Sequence, residues 1–361
     1  MRKAIPSKKW LTIFLGILLM LVFMIGLTAY WIDPFYQFRY ENRTYFNNSA
    51  KFLGPGLVKN YSYDTLILGS SMTQNFDMEM FRQELGVTPL HIGIGGMGID
   101  ELLSYIELSE QTGKCESYYI CIDQYMLADA IEYRTPEYLF NDDPLALLRY
   151  LFCYEAWFRY IPLDIVLSII NQMPINMPPK LLKTMDIDYL GNWENDYVFG
   201  EDSVIQNYLH NNYNVSPVEI DGLYARMTQY TDKIFDSLPG DKDRYNFFFP
   251  PYSVLFWYDA QNNGYLEAYL EIKQYFLEKA HMCGIDVYDF QSAEYVFDLE
   301  NYRDMTHYRG EINDWMVNCF TRGECLANRE SIKQGNAYLI TRTEIFADTY
   351  HYLLAEAKES D

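Results

Sequence analysis

The sequence contains few of the residues that metal sites and nucleic-acid sites require. Histidine occurs only 5 times in 361 residues, no two histidines have the spacing of metal ligands, and the 6 cysteines show no zinc-site spacing. The 28 lysines and arginines are outnumbered by 50 acidic residues, which gives a formal net charge of -22. A surface this acidic argues against nucleic-acid binding, and the histidine spacing disfavours a metal-dependent hydrolase. We therefore predict no metal, no other cofactor and no nucleic-acid partner.

Charged residues are absent from one long apolar run, residues 10–32, which we predict to be a membrane-spanning helix. At about 1.5 Å per residue the helix would be about 34 Å long, enough to cross a hydrocarbon layer of about 30 Å. Four basic residues lie before the run, namely Arg2, Lys3, Lys8 and Lys9. By the positive-inside rule, residues 1–9 form a cytoplasmic tip and the rest of the chain lies outside the cell membrane.

The alternative interpretation of this run is a signal peptide that is removed after export. The run is longer than the apolar core of a typical signal peptide, and residues 27–29 (LTA) lack the small-x-small pattern that signal peptidase requires. We therefore expect an uncleaved, single-pass anchor. Without the four basic residues of the tip, the exported part carries a formal charge of -26.

Beyond the anchor we expect a neck, residues 33–63, and one extracytoplasmic domain, residues 64–361. The neck is polar and aromatic without a clear period, whereas in the domain apolar strand-like runs alternate with helical patterns. This alternation predicts an α/β fold, a parallel sheet with helices on both faces. We predict strands at 65–68, 89–92, 118–122, 245–249 and 286–290, and helices at 75–85, 99–110, 264–282 and 310–320.

Residues 130–240 interrupt this alternation. A long helical pattern begins at Asp143, is broken by Pro162, and is followed by a proline-rich stretch at 173–179. We expect a helical insertion that packs on the core. A lid, or a surface that contacts the bilayer or a membrane partner, is the alternative, because Trp, Phe and Tyr suit that interface.

Two short strings, far apart in the sequence, are typical of nucleophilic catalysis. Residues 66–73 (LILGSSMT) read as a buried strand that ends in small residues. A serine there would lie in a sharp turn between strand and helix, beside N–H groups at the helix start. Residues 304–307 (DMTH) place a carboxylate three positions before an imidazole. Because a serine nucleophile needs a base and the base needs an orienting group, we predict His307 as the base and Asp304 as the group that fixes its tautomer.

These strings resemble the sequence blocks of the SGNH (GDSL-like) hydrolase superfamily. Residues 69–71 (GSS) look like its first block, Gly-Asp-Ser, with Ser71 at the nucleophile position and a serine in place of the usual aspartate. Residues 91–96 (HIGIGG) resemble the second block, in which a glycine N–H, here that of Gly96, donates to the oxyanion. Residues 304–307 match the last block, which supplies the acid and the base. The resemblance implies a flavodoxin-like sheet and a Ser-His-Asp triad.

The third block departs from the family pattern. The family usually has Gly-x-Asn after its third strand, with the asparagine as an oxyanion donor, whereas here the strand leads into Asp123 and Gln124. An ionised Asp123 cannot donate a hydrogen bond. Either Gln124 or a backbone N–H takes this role, or the oxyanion hole is weaker than usual. Because loops at the carboxyl ends of the strands share one edge of an open α/β sheet, we expect Ser71, Gly96, Asp123 and His307 to converge.

Within the superfamily, the layout resembles membrane-anchored cell-envelope members, the teichoic acid D-alanylation protein DltD and the proteins that O-acetylate alginate and other exopolysaccharides. The similarity covers the anchor, residues 33–35 (DPF), the GSS block, residues 249–252 (FPPY) and the Asp-x-x-His-Tyr ending. It implies a membrane-anchored serine O-acyltransferase or esterase that acts on a cell-envelope polysaccharide or teichoic acid. The acyl donor would reach it through a multi-spanning membrane acyltransferase.

The charge of the exported part bears on the substrate. Teichoic acid is itself polyanionic, so a near-neutral glycan or a small acyl donor fits a charge of -26 better. An alternative from a different class is a catalytically degenerate, membrane-tethered glycan-binding or scaffold protein on the same fold. In that case the missing third-block asparagine would reflect lost catalysis.

Overall fold

The computed structural model describes residues 7–41, 49–163, 165–166, 187–210 and 220–352. The chain forms two compact units. The first, here called the anchor unit, comprises Met1–Tyr61 and Thr135–Met185. The second, the sheet unit, comprises Ser62–Arg134 and Asp186–Asp361. The stretch 130–240 is divided between the two units, and the proline-rich stretch 173–179 lies outside the described residues.

Five parallel strands form the sheet of the sheet unit. They are β1 (Thr65–Gly69), β2 (Pro89–Gly93), β3 (Ser117–Cys121), β4 (Tyr245–Phe249) and β5 (Asp286–Asp289). Their order is β2-β1-β3-β4-β5, and every neighbouring pair is parallel. All residues of β1 and β2 are buried, which requires cover on both faces of the sheet. The predicted α/β fold with a parallel sheet is confirmed, and each strand lies within one residue of its predicted bounds.

The helices of the sheet unit that pack together fall into two groups. In chain order, the helices of the described residues are α1 (Ser7–Ile32), α2 (Ala50–Asn60), α3 (Met78–Leu85), α4 (Ile99–Thr112), α5 (Gln124–Ala128), α6 (Pro144–Leu151), α7 (Glu201–His210), α8 (Leu223–Ser237), α9 (Val254–Asn263), α10 (Leu266–Met282), α11 (Gly310–Arg322) and α12 (Arg329–Tyr350). Helix α3 packs against α11, whereas α8 packs against α4, α5 and α10. These two groups supply the cover that the buried strands need.

The chain does not pass directly from β1 into a long helix. Ser71–Thr73 form a single 3₁₀ turn, and α3 begins at Met78 instead of residue 75. The carboxylate of Asp77 accepts a hydrogen bond from the backbone N–H of Glu79 at 2.8 Å, so Asp77 is the N-cap that fixes the start of α3. The apolar pattern that we assigned to the first helical turn includes Phe76, which is buried but lies outside the helix.

Helix α1 of the anchor unit is long and apolar enough to cross a membrane. Its segment Lys8–Ile32 reaches a mean hydropathy of 2.6, and only 6% of its most apolar 18-residue window is buried by the rest of the chain. Two residues of its last turns behave differently. Gly26 and Ala29 are buried, and Ala29 belongs to a small core with Phe35, Phe52 and Tyr150. Gly26 and Ala29 are thus the described residues of α1 that the rest of the chain buries.

The strand β1 ends at a glycine that no larger residue can replace without displacement of its neighbours. A Cβ at Gly69 would lie 2.6 Å from Cγ2 of Thr73 and 2.7 Å from Cβ of Cys121. We expect Gly69→Ala to lower the free energy of unfolding by about 1–3 kcal/mol through overpacking. Denaturant unfolding of both variants in detergent measures the effect, with Gly95→Ala as the control because nothing lies within 4 Å of a Cβ there. Equal stability of the two variants would contradict the prediction.

Candidate active site

The strand order creates a crevice at the carboxyl end of β1 and β3. After β1 the chain moves to β2 on one side, and after β2 it returns to β3 on the other side of β1. The loops that leave adjacent strands in opposite directions open a crevice, the usual ligand site of open α/β sheets. Ser71 follows the end of β1 by two residues and Asp123 follows the end of β3 by two. Both residues therefore lie at this crevice.

Ser71, His307 and Asp304 form a continuous hydrogen-bonded chain. The Oγ atom of Ser71 lies 2.7 Å from Nε2 of His307, and Nδ1 of the same ring lies 2.8 Å from Oδ2 and 2.9 Å from Oδ1 of Asp304. When Nδ1 donates to the carboxylate, Nε2 is free to accept the serine proton. Ser71 and His307 are half-buried, and Asp304 is buried. The structure thus brings together the three residues that the sequence analysis selected.

Local backbone geometry explains why the carboxylate lies under the imidazole. The backbone N–H groups of Thr306 and His307 both donate to Oδ1 of Asp304 at 2.9 Å, so the loop closes on the carboxylate. Burial alone would raise the pKa of Asp304. The hydrogen bond and charge of His307, together with these two N–H groups, outweigh burial and hold the pKa below its usual value of 3.8. Asp304 is therefore an ionised partner for a protonated imidazole.

The turn that carries Ser71 is fixed to the loop that carries His307. The backbone N–H of Met72 donates to the hydroxyl of Ser70 at 3.3 Å, which caps the 3₁₀ turn. The carbonyl of Met72 accepts a hydrogen bond from the hydroxyl of Tyr308 at 2.9 Å. Because Tyr308 directly follows His307, this bond holds the serine and the imidazole in register.

Gly96 lies in a tight turn with a cationic side chain beside it. Its φ of 70° falls in the left-handed region that favours glycine, and the turn is closed by a hydrogen bond from Met97 N–H to the carbonyl of Ile94 at 2.9 Å. A Cβ on Gly96 would lie 3.2 Å from Nη2 of Arg134. The guanidinium of Arg134 therefore contacts the predicted oxyanion glycine and makes this turn more attractive to an anion. The sequence analysis did not select Arg134, because nothing in its neighbourhood marks it.

Asp123 is a buried carboxyl group with one unsatisfied oxygen. Oδ1 accepts a hydrogen bond from the hydroxyl of Tyr252 at 2.5 Å, and Oδ2 has no hydrogen-bond partner among the described residues. Burial raises the pKa of Asp123, against the smaller opposing effects of the Ser70 and Tyr252 hydroxyls and of His307. A protonated carboxyl group can donate a hydrogen bond. The objection to Asp123 as an oxyanion donor applies only to its ionised form.

Gln124, the other candidate donor, is engaged elsewhere. Its amide N–H₂ donates to Oε1 of Gln291 at 2.7 Å, and Nε2 of Gln291 donates back to Oε1 of Gln124 at 2.9 Å. Both side chains are fully buried. This reciprocal pair directs the Gln124 amide toward Gln291 instead of Ser71.

An aromatic wall stands beside the imidazole, and the sequence analysis missed it. The indole ring of Trp193 packs edge to face on His307 with 5.2 Å between ring centroids, and its Nε1–H donates to the carbonyl of Ser71 at 3.4 Å. The guanidinium of Arg303 lies 3.5 Å from the ring centre of Tyr197, and its Nε is 3.0 Å from Oδ2 of Asp304. Trp193 and Tyr197 fall in the stretch 130–240, where no local pattern indicates a site.

The site carries no arrangement of metal ligands. Within the described part of the chain, no group of three or more His, Cys, Asp or Glu residues is placed to hold a metal ion. His91, which lies in β2 and in the second block, is buried and bonded through Nε2 to the hydroxyl of Thr73 at 3.0 Å. Burial lowers the pKa of His91 to about 3, so its imidazole is neutral. We assign it a structural role under the turn of Ser71.

Comparison with known proteins identifies no family. No protein-family model matches the chain, and no curated protein matches it. The resemblance to SGNH hydrolases thus rests on the short sequence blocks alone.

The lowered pKa of Asp304 predicts how a substitution there changes stability with pH. Because the folded protein favours the ionised form, the carboxylate stabilises the fold above its usual pKa of 3.8, and this contribution is lost as the pH falls toward the lowered value. We expect Asp304→Asn to lower the free energy of unfolding by about 1.5–3 kcal/mol near pH 7, and by progressively less below about pH 4. Denaturant unfolding across this pH range measures it.

The matched control for this experiment is Asp236→Asn, which changes an exposed carboxylate on α8. It is expected to change stability by less than about 0.5 kcal/mol at every pH. A stability loss in Asp304→Asn that stays constant or grows as the pH falls would show that the ionised carboxylate is not the stabilising form.

Proposed function

We propose that this chain is a membrane-anchored SGNH-type serine acyltransferase or esterase. The observation that carries the proposal is the hydrogen-bonded chain Ser71–His307–Asp304 at the carboxyl end of a parallel sheet. The strand order β2-β1-β3-β4-β5 supports it, because this is the flavodoxin-like order that the resemblance implies. The turn at Gly96 and the Arg134 side chain beside it add a region suited to a developing anion.

The geometry suits a two-step acyl transfer. Oγ of Ser71 attacks the carbonyl carbon of an ester or thioester while Nε2 of His307 takes its proton. The tetrahedral oxyanion collapses, the alkoxide or thiolate leaves with the proton from His307, and an acyl ester remains on Ser71. An acceptor hydroxyl then gives its proton to His307 and attacks this ester. The bond between the acyl carbon and Oγ of Ser71 breaks, and Oγ takes the proton back from His307. Water as the acceptor makes the protein an esterase, and a glycan hydroxyl makes it an O-acyltransferase.

We infer that Asp123 completes the oxyanion hole as a neutral acid. It stands after β3, where the family has an asparagine, and its free Oδ2 belongs to a buried carboxyl with a raised pKa. A protonated Oδ2–H can donate to the oxyanion as an amide N–H would. The backbone N–H groups of Ser71 and Gly96 supply the other donors.

The aromatic wall favours a sugar acceptor. Trp193 presents a partly exposed ring next to His307, and the exposed ring of Tyr197 packs on Trp193. Such rings stack on the C–H faces of sugars. Because the chain has a net charge of -22, a near-neutral cell-envelope polysaccharide suits it better than teichoic acid unless the groove is locally basic.

We further propose that α1 anchors the protein in the cell membrane, with residues 1–9 in the cytoplasm and the active site outside. The apolar length of α1 and the four basic residues before its apolar run support this orientation. An acyl donor for an extracytoplasmic enzyme has to cross the membrane. A multi-spanning membrane acyltransferase is the partner that would deliver it.

The decisive experiment is Ser71→Ala in the full chain. Removal of the nucleophile is expected to reduce hydrolysis of p-nitrophenyl acetate by about 10⁴-fold or more and to abolish labelling by a fluorophosphonate probe. Ser237→Ala, which changes an exposed serine of α8, is the control and is expected to keep both activities.

Two outcomes would contradict the proposal. Full hydrolysis or probe labelling by Ser71→Ala would place the reaction at another residue. A wild-type chain that folds and binds glycan but labels at no serine would instead support the membrane-tethered binding or scaffold protein.

A pair of substitutions at Asp123 tests the neutral-acid donor. Asp123→Asn keeps an acceptor for the Tyr252 hydroxyl and places an N–H₂ donor near Oδ2, so hydrolysis is expected to persist. Asp123→Ala removes the donor and is expected to lower kcat by about 10²–10³-fold. At high pH the wild type is expected to lose activity relative to Asp123→Asn, because an ionised Asp123 repels the oxyanion. Equal losses in both variants, with unchanged thermal unfolding, would show that the carboxyl group has another role.

A further inference from the structure

Helix α1 requires an apolar environment along most of its length. Its sequence carries no charged residue from Trp10 to Ile32, and the rest of the chain buries only 6% of its most apolar window. A helix that is apolar on all sides and not covered by protein is stable only in a medium such as the hydrocarbon of a bilayer. Any element that packs on the exposed part of α1 shares this medium.

Helix α6 packs on that part of α1. Between the two helices runs an apolar groove of about 420 Å³. Residues of both helices line it, including Leu19, Val22 and Phe23 of α1, and Leu148, Leu151 and the adjoining Phe152 at the end of α6. Leu19 is about 20 Å before Ile32 at about 1.5 Å per residue, so the groove extends well into the apolar run.

The fit between α1 and the end of α6 depends on a small residue. A Cβ placed on Gly26 would lie 3.3 Å from Cζ of Phe152, so glycine lets this ring approach the backbone of α1. Among the described residues of α1 that line the groove, only Gly26 is buried by the chain. The groove is therefore a built feature of the anchor unit, open on its remaining sides.

The side of α6 next to the groove is itself apolar and exposed. Leu145, Leu148 and Phe152 stand at positions i, i+3 and i+7 with 75%, 53% and 39% of their surface exposed. The opposite side, with Ala146 and Tyr150, is buried in the core of the anchor unit. The exposed side of α6 thus carries an apolar stripe, where a helix that faces water would carry polar residues.

The apolar surface continues past the end of α6. Phe158 lies in the π-helical turn Ala156–Tyr160, and its ring stacks on that of Tyr154, two residues before the turn. The two side chains are 74% and 69% exposed, respectively. Two arginines flank the surface and stack on tyrosines, Arg149 on Tyr138 and Arg159 on Tyr160. Aromatic rings with adjacent arginines are typical of residues at the level of lipid headgroups.

We propose that the surface formed by α6, Phe152, Tyr154 and Phe158 lies in the outer leaflet of the membrane, and that a lipid acyl chain occupies the groove against α1. This inference rests on the proposed anchoring by α1. The occupant is lipid because the groove adjoins residues of α1 that hydrocarbon already surrounds, and because the side chains on both of its walls are apolar. The anchor unit would then contact the bilayer through an interfacial helix as well as a span.

The test measures contact with lipid at single positions of the full chain in vesicles of phosphatidylcholine that contain a spin-labelled phosphatidylcholine. An NBD fluorophore is attached at Leu148→Cys, in a background with Cys283→Ser and Cys325→Ser that removes the less buried thiols. Leu18→Cys reports on α1, and Glu137→Cys reports on an exposed polar site of the anchor unit. Circular dichroism and gel filtration verify that each variant is folded.

We expect spin-labelled lipid to quench the fluorophore at position 148 about as strongly as the fluorophore at position 18. Quenching at position 148 should exceed quenching at position 137 by about twofold or more, because an interfacial helix lies about 5–10 Å deep in the membrane. Quenching at position 18 without quenching at 148 overturns the inference and leaves the anchor intact. Lack of quenching at both positions overturns the anchoring proposal and this inference together, while Ser71 labelling reports on the enzyme separately. Protection of position 148 from both lipid and aqueous quenchers would indicate a protein on this surface and would also overturn it.

Discussion

The carboxylate of Asp304 organises the site on which the proposed chemistry depends. It accepts hydrogen bonds from two backbone N–H groups of its own loop, from the imidazole of His307 and from the guanidinium of Arg303. These donors around one buried anion leave the loop few other conformations, because any other conformation would leave a buried charge without a partner. A further hydrogen bond holds the loop, because the hydroxyl of Ser253 donates to the carbonyl of Met305 at 2.7 Å. The orientation of the His307 imidazole is thus set by the fold itself.

The strands and the triad could be predicted from sequence because their signals are local or rest on few candidates. Buried parallel strands are short apolar runs, and β4 was predicted at its observed bounds. The scarcity of histidine left few candidates, and His307, with Asp304 three positions before it, is the one that the sequence places in a loop after a predicted strand. Helix α9 escaped prediction because residues 254–258 are buried on all sides, so the helical period is hidden. Trp193 and Arg134 reach the site through tertiary packing. No local sequence pattern marks residues that are brought to a site in this way.

Burial changes the chemistry that a sequence letter suggests. From the sequence alone, Asp123 is an anion that would repel an oxyanion, whereas in the fold its carboxyl group is buried beside Tyr252 and burial raises its pKa. Gln124 reads as the better donor, yet its amide is committed to Gln291. Neighbouring groups, and not residue type alone, thus decide which side-chain protons are available at this edge of the sheet.

The exit from α1 shows how firmly the anchor is joined to the rest of its unit. The carboxylate of Asp33, at a φ of 45°, accepts hydrogen bonds from the N–H groups of Gln37 and Phe38 and from the hydroxyl of Tyr150. The guanidinium of Arg39 bonds back to the carbonyls of Tyr30 and Trp31 at the end of the helix. A helix end with so many hydrogen bonds cannot rotate independently of the residues that follow it. In the proposed membrane setting, a change in the tilt of α1 moves Tyr150 and its neighbours with it, so the thickness of the membrane sets the orientation of these residues.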